Sequence, residues 1–122
     1  VDSVEGDEVV IRIEIAESEP INGWGLQLDY DKNELEFNQF IPGGFIGGSF
    51  IPIFKENDNG VQVGGAQLGG QGEMSDGNGV LGSIKLKVIG SLPTWINASS
   101  LDLKGNLENE VDLTNSQIEI ER

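Results

Sequence analysis

The sequence predicts an all-β fold, an antiparallel jelly-roll β-sandwich of about nine strands. Three observations lead to this prediction. Apolar residues recur at every second position, glycine accounts for 18 of the 122 residues, and Asn/Asp/Gly turn motifs separate the alternating runs. Glycine costs about 1 kcal/mol in a helix interior, so its abundance disfavours helices. Because no linker or internal repeat interrupts the runs, we expect one domain over residues 1–122.

Rows of alternating apolar residues predict the buried face of each strand. Alternation with period two places apolar side chains on one face and polar side chains on the other. Trp24 and Tyr30 share the phase of Leu26 and Leu28, so we assign both rings to the core. The residues predicted to be buried are Val9, Ile11, Ile13, Trp24, Leu26, Leu28, Ile84, Leu86 and Val88.

Turn residues and proline place the remaining strands. The Asp58–Gly60 turn contains Asn and Gly, which accept the positive φ that tight turns require. Leu35 and Phe37 favour a further strand over a helical turn. Pro52 lies within the run Phe50–Phe54 and cannot donate a ladder hydrogen bond, so this strand is predicted at a sheet edge.

Composition excludes several classes of function. Seven basic against 21 acidic residues give a net charge of −14, and the bases are scattered, so nucleic acid and anionic membrane surfaces are poor partners. The absence of His and Cys excludes zinc ribbons and the Ser–His and Cys–His nucleophiles. No apolar run approaches the roughly 20 residues of a membrane span, so no membrane insertion is expected. The acidic start at Val1 lacks the pattern of a signal peptide.

Two loop-like segments were weighed as ligand sites. Gly64–Gly79 is rich in glycine but lacks Lys, Arg and the phosphate-loop spacing, so we interpret it as a turn-rich loop between two strands. Asp29, Asp31 and Asn33 begin like a calcium loop. Glu34 stands where that loop requires glycine, so we favour a strand end followed by an Asp/Asn turn. A surface calcium between loops stays open as the alternative.

Trp95 is the remaining aromatic candidate for a site. It lies in the connection Pro93–Ile96, which has no strand phase, and an exposed ring there would suit stacking on a sugar. Carboxylate pairs would in principle suit glycoside hydrolysis. With 21 acidic residues on a small chain, however, many pairs fall close by chance and no spacing singles one out. We therefore predict no catalytic residue.

The order of motifs along the chain resembles that of cohesins, the receptor modules through which scaffolding proteins capture dockerin modules. Its strongest elements are the strand Trp24–Tyr30 followed by Asp31 and then Leu-Glu-Phe at 35–37, and Gly79–Leu81 followed by the strand Ile84–Val88. The resemblance covers nearly the whole chain. It implies a nine-stranded jelly roll, no catalysis and no cofactor of its own, with the calcium of such complexes belonging mainly to the dockerin.

The resemblance also implies a binding face, because cohesins bind through one flat sheet face. Gly23 and Gly25 stand where many cohesins have polar, hydrogen-bonding side chains. These glycines either leave a low patch for close approach to the backbone, or mark a twist or bulge in the strand. Carried over by position, the partner-binding residues are Gly23, Gly25, Gln27, Asp29, Gln62, Gly64, Ala66, Leu68, Ser100 and Asp102.

These observations predict a non-catalytic protein–protein interaction module, secreted or at the cell surface, that binds a dockerin-type protein in a cellulosome-like assembly. One alternative is a carbohydrate-binding module on the same sandwich, with a polysaccharide as partner. Another is a structural spacer of a surface protein. The net charge favours a partner with a basic face. An outer sheet face without rings would support the cohesin hypothesis, and a row of exposed rings would support sugar binding.

Overall fold

The structure, a computed structural model, describes residues 3–5, 7–46, 50–67, 75–105 and 117–121. These residues form an all-β, antiparallel sandwich, which confirms the predicted fold class. Within the same ranges, no helix is long and apolar enough to cross a membrane. The strands are β1 (Ser3–Glu5), β2 (Glu8–Tyr30), β3 (Leu35–Pro42), β4 (Phe50–Asn57), β5 (Gly60–Gln67), β6 (Ser75–Val88), β7 (Thr94–Gly105) and β8 (Gln117–Ile120).

Strand β2 takes part in both layers of the sandwich. Its first half pairs with β1 and β6, and β3 continues that layer beyond β6. Its second half lies between β5 and β7, with β4 beyond β5 and β8 beyond β7. We call the first layer (β1, β2 first half, β6, β3) sheet I, and the second (β4, β5, β2 second half, β7, β8) sheet II.

The continuity of β2 corrects the predicted number of strands. The sequence suggested separate strands before and after the segment around Pro20, but residues Glu8–Tyr30 form one strand of 23 residues. The register against β6 shifts after Ile13 and again around Ser18, and Glu17 has a φ of 51°. Such bulges bend a strand without ending it. The described residues therefore form eight strands instead of about nine.

The core lies between the two sheets and follows the predicted rows. Eight of the nine residues predicted to be buried are buried, including Trp24, and so is Tyr30. Ile13 is the exception: it is half-buried and packs against the edge of the core, at the point where the register against β6 shifts. The Trp24 ring packs edge-on against Phe40 of β3, with ring centroids 5.9 Å apart. This contact links sheet II to sheet I.

Strand β4 forms an edge of sheet II, as Pro52 predicts, because it pairs only with β5. The Tyr30 backbone N–H donates to the Asn59 carbonyl oxygen at 3.0 Å, which sets the alternation of ladder hydrogen bonds along β5. Carried across β5 by the register, this alternation turns the Pro52 nitrogen toward the free side of β4. A residue without an N–H is tolerated there.

The prediction of a loop over Gly64–Gly79 is wrong at both ends. Gly64–Gln67 belongs to β5, and Ser75–Gly79 belongs to β6. Residues 68–74 lie outside the described residues. Glycine continues β5 because Gly64 lies close to β2, where a Cβ atom would clash with the Trp24 carbonyl oxygen.

Candidate functional site

The outer face of sheet II holds the residues that the sequence predicts for partner binding. Paired residues of neighbouring strands project to the same face of a sheet. Gly25 of β2 pairs with Gly64 of β5 and with Asp102 of β7. The neighbouring pairs extend the same face to Gly23, Gln27, Asp29, Gln62, Ala66 and Ser100. Leu68, the remaining predicted residue, lies outside the described residues.

Four small residues form the low part of this face: Gly23 and Gly25 on β2, with Gly64 and Ala66 on β5. We call these four residues the floor. A Cβ atom at Gly25 would meet nothing within 4 Å, so the space above Gly25 is open. The ladder between β2 and β5 has no register shift from Gly23 to Asp29. Of the two interpretations of Gly25, the low patch therefore fits and a bulge against β5 does not.

Strand β4 adds four residues that sequence reasoning missed. Ile51, Ile53, Lys55 and Asn57 pair with alternate residues of β5 and share the outer face of sheet II. Ile53 is 60% exposed and Ile51 is 45% exposed, which is unusual for large apolar side chains. The run Phe50–Phe54 is apolar at every position and shows no alternation, so no phase was assigned to it. That absence of a polar face in an edge strand was itself the available signal.

A hydrogen-bonded amide pair orders the end of the face next to the β4–β5 turn. Asn57 Nδ2 donates to Gln27 Oε1 at 2.8 Å, and Gln27 Nε2 donates to Asn57 Oδ1 at 3.2 Å and to Asp29 Oδ1 at 3.0 Å. Asn57 Oδ1 also accepts from the backbone N–H groups of Asn59 and Gly60 at 3.1 and 3.0 Å. The Gln27 side chain is thus held in place before any partner binds.

The outer face of sheet II is much less acidic than the chain as a whole. Its described members Lys55 and Lys104 balance Asp29 and Asp102, whereas the chain carries a net charge of −14. Lys104 Nζ and Asp102 Oδ2 lie 3.6 Å apart, and both side chains are exposed. Depletion of charge is typical of the central part of protein interfaces.

The Asp-rich end of β2 forms a turn, as expected. Asp31 Oδ1 accepts the backbone N–H of Asn33 at 2.8 Å, and the Asp31 carbonyl oxygen accepts the N–H groups of Glu34 and Leu35 at 3.0 and 2.9 Å. Across the part of the chain that the structure describes, no group of three or more acidic residues is arranged to hold a metal ion. The favoured interpretation, a strand end followed by an Asp/Asn turn, is confirmed.

Tyr30 lies in the core at the same end of the molecule. Burial raises the pKa of Tyr30 to about 12, and the negative charges of Glu56 and Glu36 add to the effect. Both influences stabilise the neutral phenol. Tyr30 is therefore a packing residue that stays protonated at physiological pH.

Trp95 is half exposed, at 49%, and lies on β7 opposite Glu119 of β8. It is two residues from Asn97, which pairs with Asp29, so it lies at a corner of the outer face of sheet II. Phe54 is also exposed, but it has the opposite phase on β4 and its ring lies 5.5 Å from that of Phe37. Among the described residues, the outer face of sheet II thus presents one exposed ring and not a row.

Solved structures with the same architecture are cohesin modules. The seventh ScaB type I cohesin from Pseudobacteroides cellulosolvens matches with a TM-score of 0.68 at 21% identity, covering 86% of this chain and 73% of its own. The fold is cohesin-like. A non-cellulosomal cohesin from the hyperthermophilic archaeon Archaeoglobus fulgidus matches with a TM-score of 0.62 at 19% identity, covering 81% of this chain and 68% of its own.

A third cohesin-like match is a structure of a complex. The third cohesin of ScaC from Acetivibrio cellulolyticus, solved with the ScaB dockerin, matches with a TM-score of 0.61 at 18% identity, covering 77% of this chain and 71% of its own. No family model matches the sequence, and comparison with curated proteins finds no significant relative. At these identities the likeness establishes the cohesin-like fold and nothing finer.

Proposed function

We propose that this chain is a non-catalytic interaction module that binds a dockerin-type protein through the outer face of sheet II. The observation that carries the proposal is the combination of a cohesin-like fold with a near-neutral face that exposes Ile51 and Ile53. Large apolar side chains that stay exposed on an acidic protein are typical of an interaction site. The solved complex of a cohesin-like match with a dockerin supports the class of partner.

The proposal places the module in an extracellular or cell-surface assembly and gives it no cofactor. Calcium in the complex would be bound by the dockerin. The lack of His and Cys supports the absence of catalysis, because it removes the common nucleophile–base pairs. Incubation with cellulose, xylan and soluble oligosaccharides is expected to release no product. Product release that one carboxylate substitution abolishes would contradict the non-catalytic assignment.

The experiment that tests the partner is calorimetry with dockerin modules. Each dockerin of the source genome is expressed alone and titrated into the chain in calcium and again in EDTA, with the ScaB dockerin of Acetivibrio cellulolyticus as a heterologous comparison. We expect at least one dockerin of the source genome to bind in calcium and to lose binding in EDTA. The absence of binding across this panel would contradict the proposal.

A second candidate function is carbohydrate binding, which the exposure of Trp95 favours. A single ring offers one stacking position, whereas binding along a polysaccharide requires several. The test is affinity electrophoresis in gels that contain cellulose derivatives or xylan, with Trp95→Ala as the variant. Retardation of the wild-type chain that Trp95→Ala abolishes would favour this function over dockerin binding.

A further inference from the structure

The two long borders of the floor differ in chemistry. On the β4 side, Ile51 and Ile53 are exposed and apolar. On the β7 side, Asp102 and Lys104 form a solvent-exposed ion pair at 3.6 Å. Between them the floor carries no side chain larger than a methyl group. The face therefore has one apolar border and one charged border, and a partner that covers both must match this asymmetry.

The width of the floor fits one α-helix. Three interstrand spacings of about 4.8 Å separate β4 from β7, which gives a width of about 14 Å. An α-helix with its side chains is about 10–12 Å across. Along the strands, the floor ends at the paired side chains of Gln27 and Gln62. A helix that lies along the strands therefore fills the width between the borders, and it approaches the backbone closely only if small residues face the floor.

Charge fixes the second requirement on the partner. The chain carries a net charge of −14, so a basic partner is attracted to it at long range. Asp102 is the acidic residue in register with Gly25 of the floor. Its exposed ion pair with Lys104 contributes little to stability, so a basic residue of a partner can compete for the Asp102 carboxylate.

We propose that the dockerin-type partner presents one α-helix to sheet II, laid along the strands. Small residues of this helix lie over the floor, an aliphatic residue packs against Ile51 and Ile53, and a basic residue pairs with Asp102. The inference rests on the proposed function and adds to it the direction and the composition of the contacting helix. It explains why Gly25 leaves open space: the helix occupies the volume that a side chain would take.

The test measures the affinity of the tightest-binding dockerin of the panel for two variants, each with a matched control on sheet I. Ile53→Ala is compared with Ile41→Ala, an exposed isoleucine of β3. Asp102→Lys is compared with Glu36→Lys, an exposed acid of β3. We expect Ile53→Ala to weaken binding about tenfold, because its contact with the helix is lost. Asp102→Lys is expected to weaken it at least tenfold, and both controls to bind within about twofold of wild type.

A charge reversal on the partner completes the test. If a basic residue of the contacting helix pairs with Asp102, its replacement by Glu is expected to restore binding to the Asp102→Lys chain. Binding of both face variants at wild-type affinity, in a complex that Gly25→Arg blocks, would overturn the inference and leave the proposed function intact. The absence of any dockerin that binds the wild-type chain would overturn both. Thermal melts of every variant establish that a lost affinity is not lost folding.

Discussion

Truncation of Leu26 to Ala tests the assignment of the core. Leu26 is 4% exposed and lies at the centre of sheet II, paired with Val63 of β5 and Leu101 of β7. The change removes three buried carbon atoms, which at about 0.8 kcal/mol each gives a loss of about 2.4 kcal/mol. The cavity that remains raises the expected cost to about 3.5 kcal/mol, within the usual range of about 2–5 kcal/mol for a core leucine.

The assay is urea denaturation followed by tryptophan fluorescence, with Ile53→Ala as the matched control. That variant removes the same number of carbon atoms from a side chain that is 60% exposed, so its expected cost is below about 0.5 kcal/mol. The two variants should therefore separate: Leu26→Ala lowers the free energy of unfolding, and Ile53→Ala lowers partner affinity. A loss below about 1 kcal/mol for Leu26→Ala, or equal losses for both variants, would refute the reasoning.

Three further predictions concern the end of sheet II next to the β4–β5 turn. Tyr30 is the only tyrosine, so phenolate absorbance of the folded chain is expected to give its pKa of about 12. Because the unfolded pKa is about 10, the free energy of unfolding should fall as pH rises from about 10 to about 12; a folded midpoint near the unfolded value contradicts this. Asn57→Ala should cost about 1–3 kcal/mol in urea melts, since it strips partners from the Gln27 amide and the turn N–H groups; a cost typical of an ordinary surface substitution argues against this network. Gln27→Glu places a carboxylate next to Asp29, so we expect a loss of about 1 kcal/mol at pH 7 that recovers below about pH 4, and a loss independent of pH would count against it.

The fold was predictable wherever one face of a strand is apolar and the other polar. Trp24, Leu26 and Leu28 alternate with Gly and Gln, and their burial follows directly from that phase. The continuity of β2 was not predictable, because Glu17 and Pro20 have the composition of a break between strands. The structure keeps the strand intact through bulges, whose positions depend on the partner strand β6 and not on the local sequence.

The candidate site was predictable on β2 and β5 and not on β4. Gly25 and Gln27 oppose a buried row, so their exposure on the outer face follows from alternation. Ile51 and Ile53 belong to a run that is apolar on both faces, so only the register with β5 reveals which side chains turn outward. The amide pair of Gln27 and Asn57 joins residues 30 positions apart, and long-range contacts of this kind depend on the three-dimensional pairing of strands.

The most direct measurement of the central claim is the affinity of a dockerin for Gly25→Arg, with Gly44→Arg as the control. A side chain at either glycine meets no atom within 4 Å, so both variants should keep the wild-type melting temperature. Gly25→Arg fills the floor, and Gly44 lies after β3, away from sheet II. We predict that Gly25→Arg weakens dockerin binding at least tenfold, about 1.4 kcal/mol, while Gly44→Arg binds like wild type. Unchanged affinity for Gly25→Arg, together with loss of binding in Trp95→Ala, would contradict the account and move the site to the corner of the sheet.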